Sequence, residues 1–300
     1  MPQQPAAFYK YVTSASALAI LGNESLKWSR PSCFNDPFDM NFDLRADYDH
    51  EEVLVLATDR CWARVSGRAA NPPQNEMGRL LTRFSDHFLS MGEHNFRDHI
   101  AVGIRESLVG LPGLTERFCR DIREDMARTK ILCLSEINDS LLMWSHYAED
   151  HRGAVLEFKD HPDLDSPYKE AFPVDYLEQV PMIATTTAIA AMFAGDENAF
   201  DRRITRNIIA AKASAWSYEQ EWRIATGAGR NPNDDFEFAP FDPRELTAIY
   251  LGCRATPQFV DKVKALADAK YPHAALSRAV LARDRWKMAF TQQSLYETAE

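Results

Sequence analysis

The chain predicts an α+β fold in which a β core is assembled from both parts of the sequence flanking a helical insertion over residues 47–130. Three observations predict it. Short aromatic and β-branched runs, such as Phe8-Tyr9-Lys10-Tyr11-Val12 and Leu246-Thr247-Ala248-Ile249-Tyr250-Leu251, recur before and after the insertion. Within 47–130, charged and apolar residues interleave at helical rather than alternating spacing. The 300 residues, 45% hydrophobic and 26% charged, bury enough apolar surface for one large domain spanning 1–300.

The first strand is 8–12, and Thr13-Ser14 then caps a helix over 15–21 that Gly22-Asn23 stops. A second strand occupies 26–29. The two prolines of Pro31-Ser32-Cys33-Phe34-Asn35-Asp36-Pro37-Phe38-Asp39 fix a turn, for which buried aromatic anchors are expected. The helical insertion follows, with loops expected near Asn71-Pro72-Pro73 and Gly110-Leu111-Pro112-Gly113. A buried strand over 130–136 leads to Asn138-Asp139, read as the cap of a helix over 141–148. Strands at 153–158 and 172–176, Ala-rich helices over 181–214, and strands at 221–225 and 246–251 come next. Thr256 or Pro257 opens a helix to Lys270, strands at 275–282 and 286–290 close the fold, and 292–300 reads as a loose end.

Charge and composition remove several classes of function. A formal net charge of −10 argues against holding nucleic acid by bulk phosphate neutralisation, although a local basic groove stays open. No apolar run approaches the ~20 residues that cross a bilayer. The opening Met1-Pro2-Gln3-Gln4-Pro5 lacks a secretion signal, so the cytoplasm is the expected compartment. Five scattered cysteines with no Cys-x-x-Cys spacing read as reduced thiols, neither a disulfide framework nor a zinc knuckle.

The most informative stretch is Trp216-Ser217-Tyr218-Glu219-Gln220-Glu221-Trp222-Arg223. In an extended segment Glu219 and Glu221 share a face, and two carboxylates that close repel unless a cation, a hydrogen bond or a substrate offsets them. Trp144, His146, Tyr147 and His151 form a second concentration of chemistry, with His146 and Tyr147 at a helix leaving a strand end. The imidazoles lack the i, i+4 spacing of a helical metal site, so no metal is assigned to them. Ser135 ends a strand without a nucleophile elbow, and dinucleotide and triphosphate fingerprints are absent. Lys10 and Tyr11 lie on the first strand, where Lys10 either meets an anion such as Glu219, Glu221 or a phosphate, or faces water from an edge.

Phe8-Tyr9-Lys10-Tyr11, Phe34 to Asp39, Cys133-Leu134-Ser135-Glu136, Trp144-Ser145-His146-Tyr147-Ala148, His151 to Phe158 and Tyr218 to Arg223 together resemble the bacterial domain-of-unknown-function family 2971, in order and over most of the chain. More distantly the chain resembles ADP-ribosyltransferases, and that resemblance implies a split β-sheet core and NAD as substrate. It implies Glu221 as the catalytic carboxylate, Glu219 addressing the acceptor and Tyr147 stacking on nicotinamide. Lys10, with Tyr11, stands where those enzymes hold the cofactor with His or Arg, and Lys lacks the planar fork of Arg. Ser135, Trp144, His146, Tyr218 and Arg223 complete the implied cofactor site. A protein or nucleic-acid acceptor, a toxin or anti-phage effector role, and an antitoxin or regulatory partner follow from the same resemblance. Two alternatives stand beside it: a non-enzymatic nucleotide-binding or regulatory module, and a metal-dependent nuclease built on Asp36, Asp39, Glu221 and His146.

Overall fold

The computed structural model describes residues 3–41, 45–197 and 202–292. In chain order the elements are β1 (Phe8–Val12), α1 (Ser14–Asn23), β2 (Ser25–Ser29), β3 (Arg45–Asp47), α2 (His50–Val65), α3 (Glu76–Arg83), α4 (Ser85–Met91), α5 (Glu93–Arg128), β4 (Ile131–Ser135), α6 (Leu141–Tyr147) and β5 (Ala154–Phe158). There follow β6 (Phe172–Pro173), β7 (Asp175–Leu177), β8 (Met182–Thr185), α7 (Thr186–Phe193), α8 (Arg202–Ala210), β9 (Ala211–Ala213), β10 (Glu221–Ala225), β11 (Phe236–Pro240), β12 (Leu246–Leu251), α9 (Pro257–Lys270), β13 (Ala275–Leu281) and β14 (Met288–Thr291). The fold is α+β. The chain divides into two compact units, one of Met1–Asn41, Asp125–Glu178 and Ala210–Glu300, the other of Phe42–Glu124 and Gln179–Ile209.

The first unit is built on a mixed sheet around β4. Along one edge β4 pairs antiparallel with β10, from Glu221↔Ser135 to Ala225↔Ile131. On its other edge it meets β1 only at Tyr9↔Ser135 and β2 only at Ser29↔Ile131. The two strands diverge from opposite ends of β4, and Cys133 lies in the fork between them. From β1 the sheet continues through β5, β12, β13 and β14, while β2 carries β11 and β10 carries β6. β5 is buried at all five positions because both of its faces are covered. Leu156 and Phe158 pack with Ala17, Ile20 and Leu21 of α1 and with Val260 and Val263 of α9, whereas Val155 packs with Tyr11, Trp144 and Ala279. The parallel pair β12 and β13 is bridged by α9, as a parallel connection requires a crossover.

The second unit has its own core of Val53, Ala57, Cys61 and Trp62 from α2, Phe96, Ile104, Leu108 and Leu111 from α5, and Ile189 and Phe193 from α7. Its strands β3 and β8 pair in parallel.

Several expectations are corrected. Gly110 to Gly113 is no loop but lies inside α5, with Pro112 in the helix. Leu108 and Leu111 continue the buried stripe of Phe96 and Ile104, and that packing overrides the breaker residues. Phe38 is no buried anchor: it is 71% exposed. The cap of α6 is Ser140, whose side chain accepts from Met143 N, rather than Asn138 or Asp139. Lys10 does not sit on an edge, because β1 lies between β4 and β5. The Ala-rich stretch expected as helix holds β8 and β9 as well, and β11 was not anticipated. Beyond Gln292 the expected tail lies outside the described residues. Among the described residues no helix is long and apolar enough to cross a membrane.

Candidate functional site

Strand alternation puts Glu221 and Arg223 on one face of β10, and Cys133 of β4 stands opposite Arg223 in register. Glu219 reaches the same place by a different route from the one expected. It ends a 3-10 turn over Ser214–Glu219, and Gln220 at φ 42° turns the chain into β10. The segment is therefore not extended throughout. The left-handed backbone at Gln220, costly for a non-glycine residue by about 1–2 kcal/mol, brings the carboxylates together where simple alternation was invoked. Three bonds hold this corner: Ser135 Oγ donates to Glu219 O at 2.6 Å, Glu136 N to Gln220 O at 3.0 Å, and Glu221 N to Tyr176 Oη at 2.7 Å.

The charges are almost wholly buried. Arg223, 0% exposed, donates from Nη1 to Asp39 Oδ1 at 2.9 Å and from Nη2 to Asp39 Oδ2 at 2.6 Å. It also grips Glu221, through Nε to Oε1 at 2.8 Å and Nη2 to Oε2 at 3.1 Å. Lys212, from β9, donates to Glu219 Oε2 at 2.5 Å and to Glu221 Oε2 at 2.8 Å, and stands 3.6 Å from Asp39 Oδ2. Buried pairs of this kind stabilise little in total, but removing one member strands its partner in a dry interior.

The cluster has a more open side. Tyr147, half-buried at the end of α6, donates to Glu219 Oε1 at 2.5 Å and accepts from the exposed Asn35 Nδ2 at 2.8 Å. Next to it the exposed His146 places Nδ1 3.0 Å from the Tyr218 hydroxyl. The Trp216 ring lies 6.0 Å from that of Tyr218, and Lys212 Nζ lies 5.2 Å from the Trp216 centroid. The turn over residues 34–39 covers this side through Asn35 on Tyr147, Phe34 against the Arg223 guanidinium, and Asp39 on Arg223.

Environment separates the two glutamates. Burial alone would raise Glu221, but Arg223 and Lys212 together hold its carboxyl well below the usual range. Glu219 is raised: burial and the Glu221 charge outweigh Lys212. Burial likewise raises Asp39 against the Arg223 guanidinium. The Tyr147 phenol is pushed up by burial and by the Glu219 carboxylate. Burial would lower the Lys212 ammonium, yet the three carboxylates hold its proton firmly.

Of the residues singled out in the sequence, Tyr147 meets Glu219 and Arg223 meets Glu221, Lys212 joins the two pairs, Ser135 holds the Glu219 backbone, and His146 and Tyr218 pair on the open side. Lys10 is half-buried and donates to Cys133 O at 2.6 Å, so its ammonium satisfies the carbonyl left in the fork of the sheet. Burial lowers the Lys10 pKa, while Glu221 and Glu219 favour its charge. Tyr11 and Trp144 are not brought to the site. Trp144 is 0% exposed, donates Nε1 to Asn138 O at 2.7 Å and meets Tyr11 edge to face. Both are core residues, and a pocket wall of Trp144 is corrected accordingly. The four residues of the metal-dependent alternative are not gathered either. Asp36 accepts Phe38 N within its own loop, Asp39 and Glu221 hold Arg223, and His146 pairs with Tyr218. Among the described residues no three of His, Cys, Asp and Glu are set to hold one metal ion.

Sequence reasoning missed Lys212 and Tyr176. The need for a cation beside two glutamates was legible, but Arg223 was the adjacent candidate and Lys212 lies in an Ala-rich run that reads as helix. Residues 143–224 match the family described as Protein of unknown function (DUF2971), a span that carries Tyr147, Lys212, Glu219, Glu221 and Arg223. No curated protein and no solved structure matches the chain.

Proposed function

We propose that this chain, a DUF2971 protein by its residues 143–224, is an ADP-ribosyltransferase-like enzyme that cleaves NAD at the nicotinamide–ribose bond and passes ADP-ribose to a macromolecular acceptor or to water. The observation that carries the reading is the Tyr147–Glu219 contact: a half-buried hydroxyl hydrogen-bonded to a buried carboxylate that is backed by Lys212. In the reaction the C1′–N bond breaks and its electron pair leaves with neutral nicotinamide. A bond forms from C1′ to the acceptor oxygen or nitrogen, whose proton Glu219 takes. Positive charge develops on the ribose as nicotinamide leaves, and a preorganised carboxylate in a water-poor site stabilises it. Tyr147, Tyr218 and Trp216 offer flat faces to the planar rings of the dinucleotide. Glu221 then serves as a brace for Lys212 and Arg223, and Glu219 is the carboxylate with a route outward.

A second reading has an observation of its own. Both Glu221 oxygens are held by permanent cations, which suits a rigid nucleotide-binding module without turnover. Nicotinamide release from NAD separates the two. Wild-type protein is expected to release nicotinamide, with a cell lysate as acceptor source or without one. Glu219→Gln lowers the rate by about 10²–10⁴, the range of a positioned general base. NAD binding by calorimetry without any release would establish the module instead, and absence of binding would end both readings.

A further inference from the structure

Three carboxylates converge on two cations here, but not equally. Asp39 and Glu221 each contact both Arg223 and Lys212, whereas the ion pair of Glu219 is with Lys212. The remaining oxygen of Glu219 accepts from a neutral donor, Tyr147. We propose that Lys212 is the positioning residue of the site: it keeps Glu219 ionised and aimed at Tyr147, while Asp39 and Glu221, which it also contacts, are gripped in addition by the Arg223 guanidinium. The positioning role of Lys212 rests on the glycosyl-transfer reading; the division of charge does not.

Geometry supports the assignment from the backbone up. Lys212 sits at the middle of β9, a three-residue strand whose parallel partner β7 pairs Tyr176 with Lys212 in register. Tyr176 in turn accepts the Glu221 N–H, so one short strand pair holds both the ammonium and the start of β10. The Lys212 side chain is 4% exposed, which leaves its ammonium the carboxylates rather than water as partners. The groups facing Glu219 are Lys212 from β9, Glu221 from β10 and Tyr147 from α6. Tyr218 of its own turn, Tyr176 and, more remotely, Lys10 complete the set. Of these, the like charge of Glu221 opposes the ionised form of Glu219, and Lys212 is the cation in direct contact that favours it. Take Lys212 away, and Glu219 is left buried beside a carboxylate that Arg223 keeps charged.

The test uses the full chain labelled with δ-¹³C glutamate, the Glu219 signal being assigned by its loss in Glu219→Gln. In Lys212→Met the Glu219 titration midpoint is expected to rise by about 1–3 pH units, the shift that a close opposite charge produces, and Lys212→Arg is expected to restore most of it. A midpoint unmoved in folded Lys212→Met overturns the proposal. Should that variant fail to fold, the ¹⁵N signal of the Lys212 ammonium in wild-type protein decides. It is expected to be protected from exchange and to shift as Glu219 titrates; a signal indifferent to that titration overturns the assignment. Nicotinamide release supplies the separate arm. If the acid limb of its pH profile moves with the Glu219 midpoint and KM stays constant, both inferences stand. If the midpoint moves in a protein that releases no nicotinamide, the role of Lys212 in the ionisation of Glu219 stands and the glycosyl-transfer reading falls.

Discussion

Glu219 and Glu221 are two positions apart, and their oxygens meet different partners. Arg223 and Lys212 hold Glu221 below the ordinary carboxylate range, so its contribution to stability is fully present above about pH 4.5 and is lost as pH falls through the lower folded value. Glu219 carries the opposite sign. Its folded pKa is raised, so the folded state takes up its proton first and gains stability on acidification. In urea titrations from pH 7 towards pH 3, Glu221→Gln is therefore expected to lose stability less steeply than wild type, and Glu219→Gln more steeply. At neutral pH Glu221→Gln costs about 3–5 kcal/mol, since it leaves part of a buried guanidinium and ammonium uncompensated. Equal slopes in the two variants would mean that the carboxylates share one environment. At Lys10 the expected loss is smaller. Lys10→Met removes the donor to Cys133 O and is expected to cost about 1–3 kcal/mol by the same urea measurement, the penalty for a buried carbonyl left without its donor.

At the scale of the element, α5 carries helix-weakening residues that its packing tolerates. A Cβ at Gly113 would meet nothing within 4 Å, and Gly110 is equally open. Gly113→Ala is accordingly expected to stabilise by about 0.5–1 kcal/mol, read as a higher melting temperature, because alanine restricts the unfolded chain and suits the helix. A lower melting temperature would show that the helix depends on a local bend at Pro112. The junction of β1 with β5 behaves in the reverse sense. A Cβ on Gly153 would lie 2.1 Å from Val12 O, backbone against backbone, at the point where Val12 pairs with Ala154. Gly153→Ala is expected to destabilise by about 1–3 kcal/mol, since neither strand has room to yield.

On the scale of the whole molecule, the two compact units carry separate hydrophobic cores. Leu156 at 0% exposure belongs to the first and Leu108 at 2% to the second. Truncating either to alanine is expected to cost about 2–5 kcal/mol. Hydrogen exchange locates the damage: Leu108→Ala raises exchange in α2, α5 and α7 and spares β4 and β10, and Leu156→Ala does the reverse. Uniform loss of protection in either variant would show that the cores unfold as one. The acidic balance of the chain, −10 at neutral pH, belongs to this scale as well. Inside the site, Asp39, Glu219 and Glu221 are matched by Lys212, Arg223 and the nearby Lys10, so the local charge does not follow the net charge.

The sequence by itself determined the local elements. Aromatic and β-branched runs set β1, β5, β10 and β12, and the cap at Thr13 and the Thr256-Pro257 start set α1 and α9, because propensity and capping act over a few residues. It also singled out Tyr147, Glu219, Glu221 and Arg223, which the structure gathers in one buried charge cluster, since two carboxylates that close repel unless something offsets them. Only the tertiary structure decided which cation each carboxylate meets. Lys212 lies seven residues from Glu219 and Asp39 lies 184 from Arg223, and neither spacing marks a contact on a helix or a strand. The fork at Cys133, the burial of Trp144 and the engagement of Glu221 arise the same way. Each depends on which strands lie side by side, and a pairing between distant segments leaves no period in the sequence from which to read it.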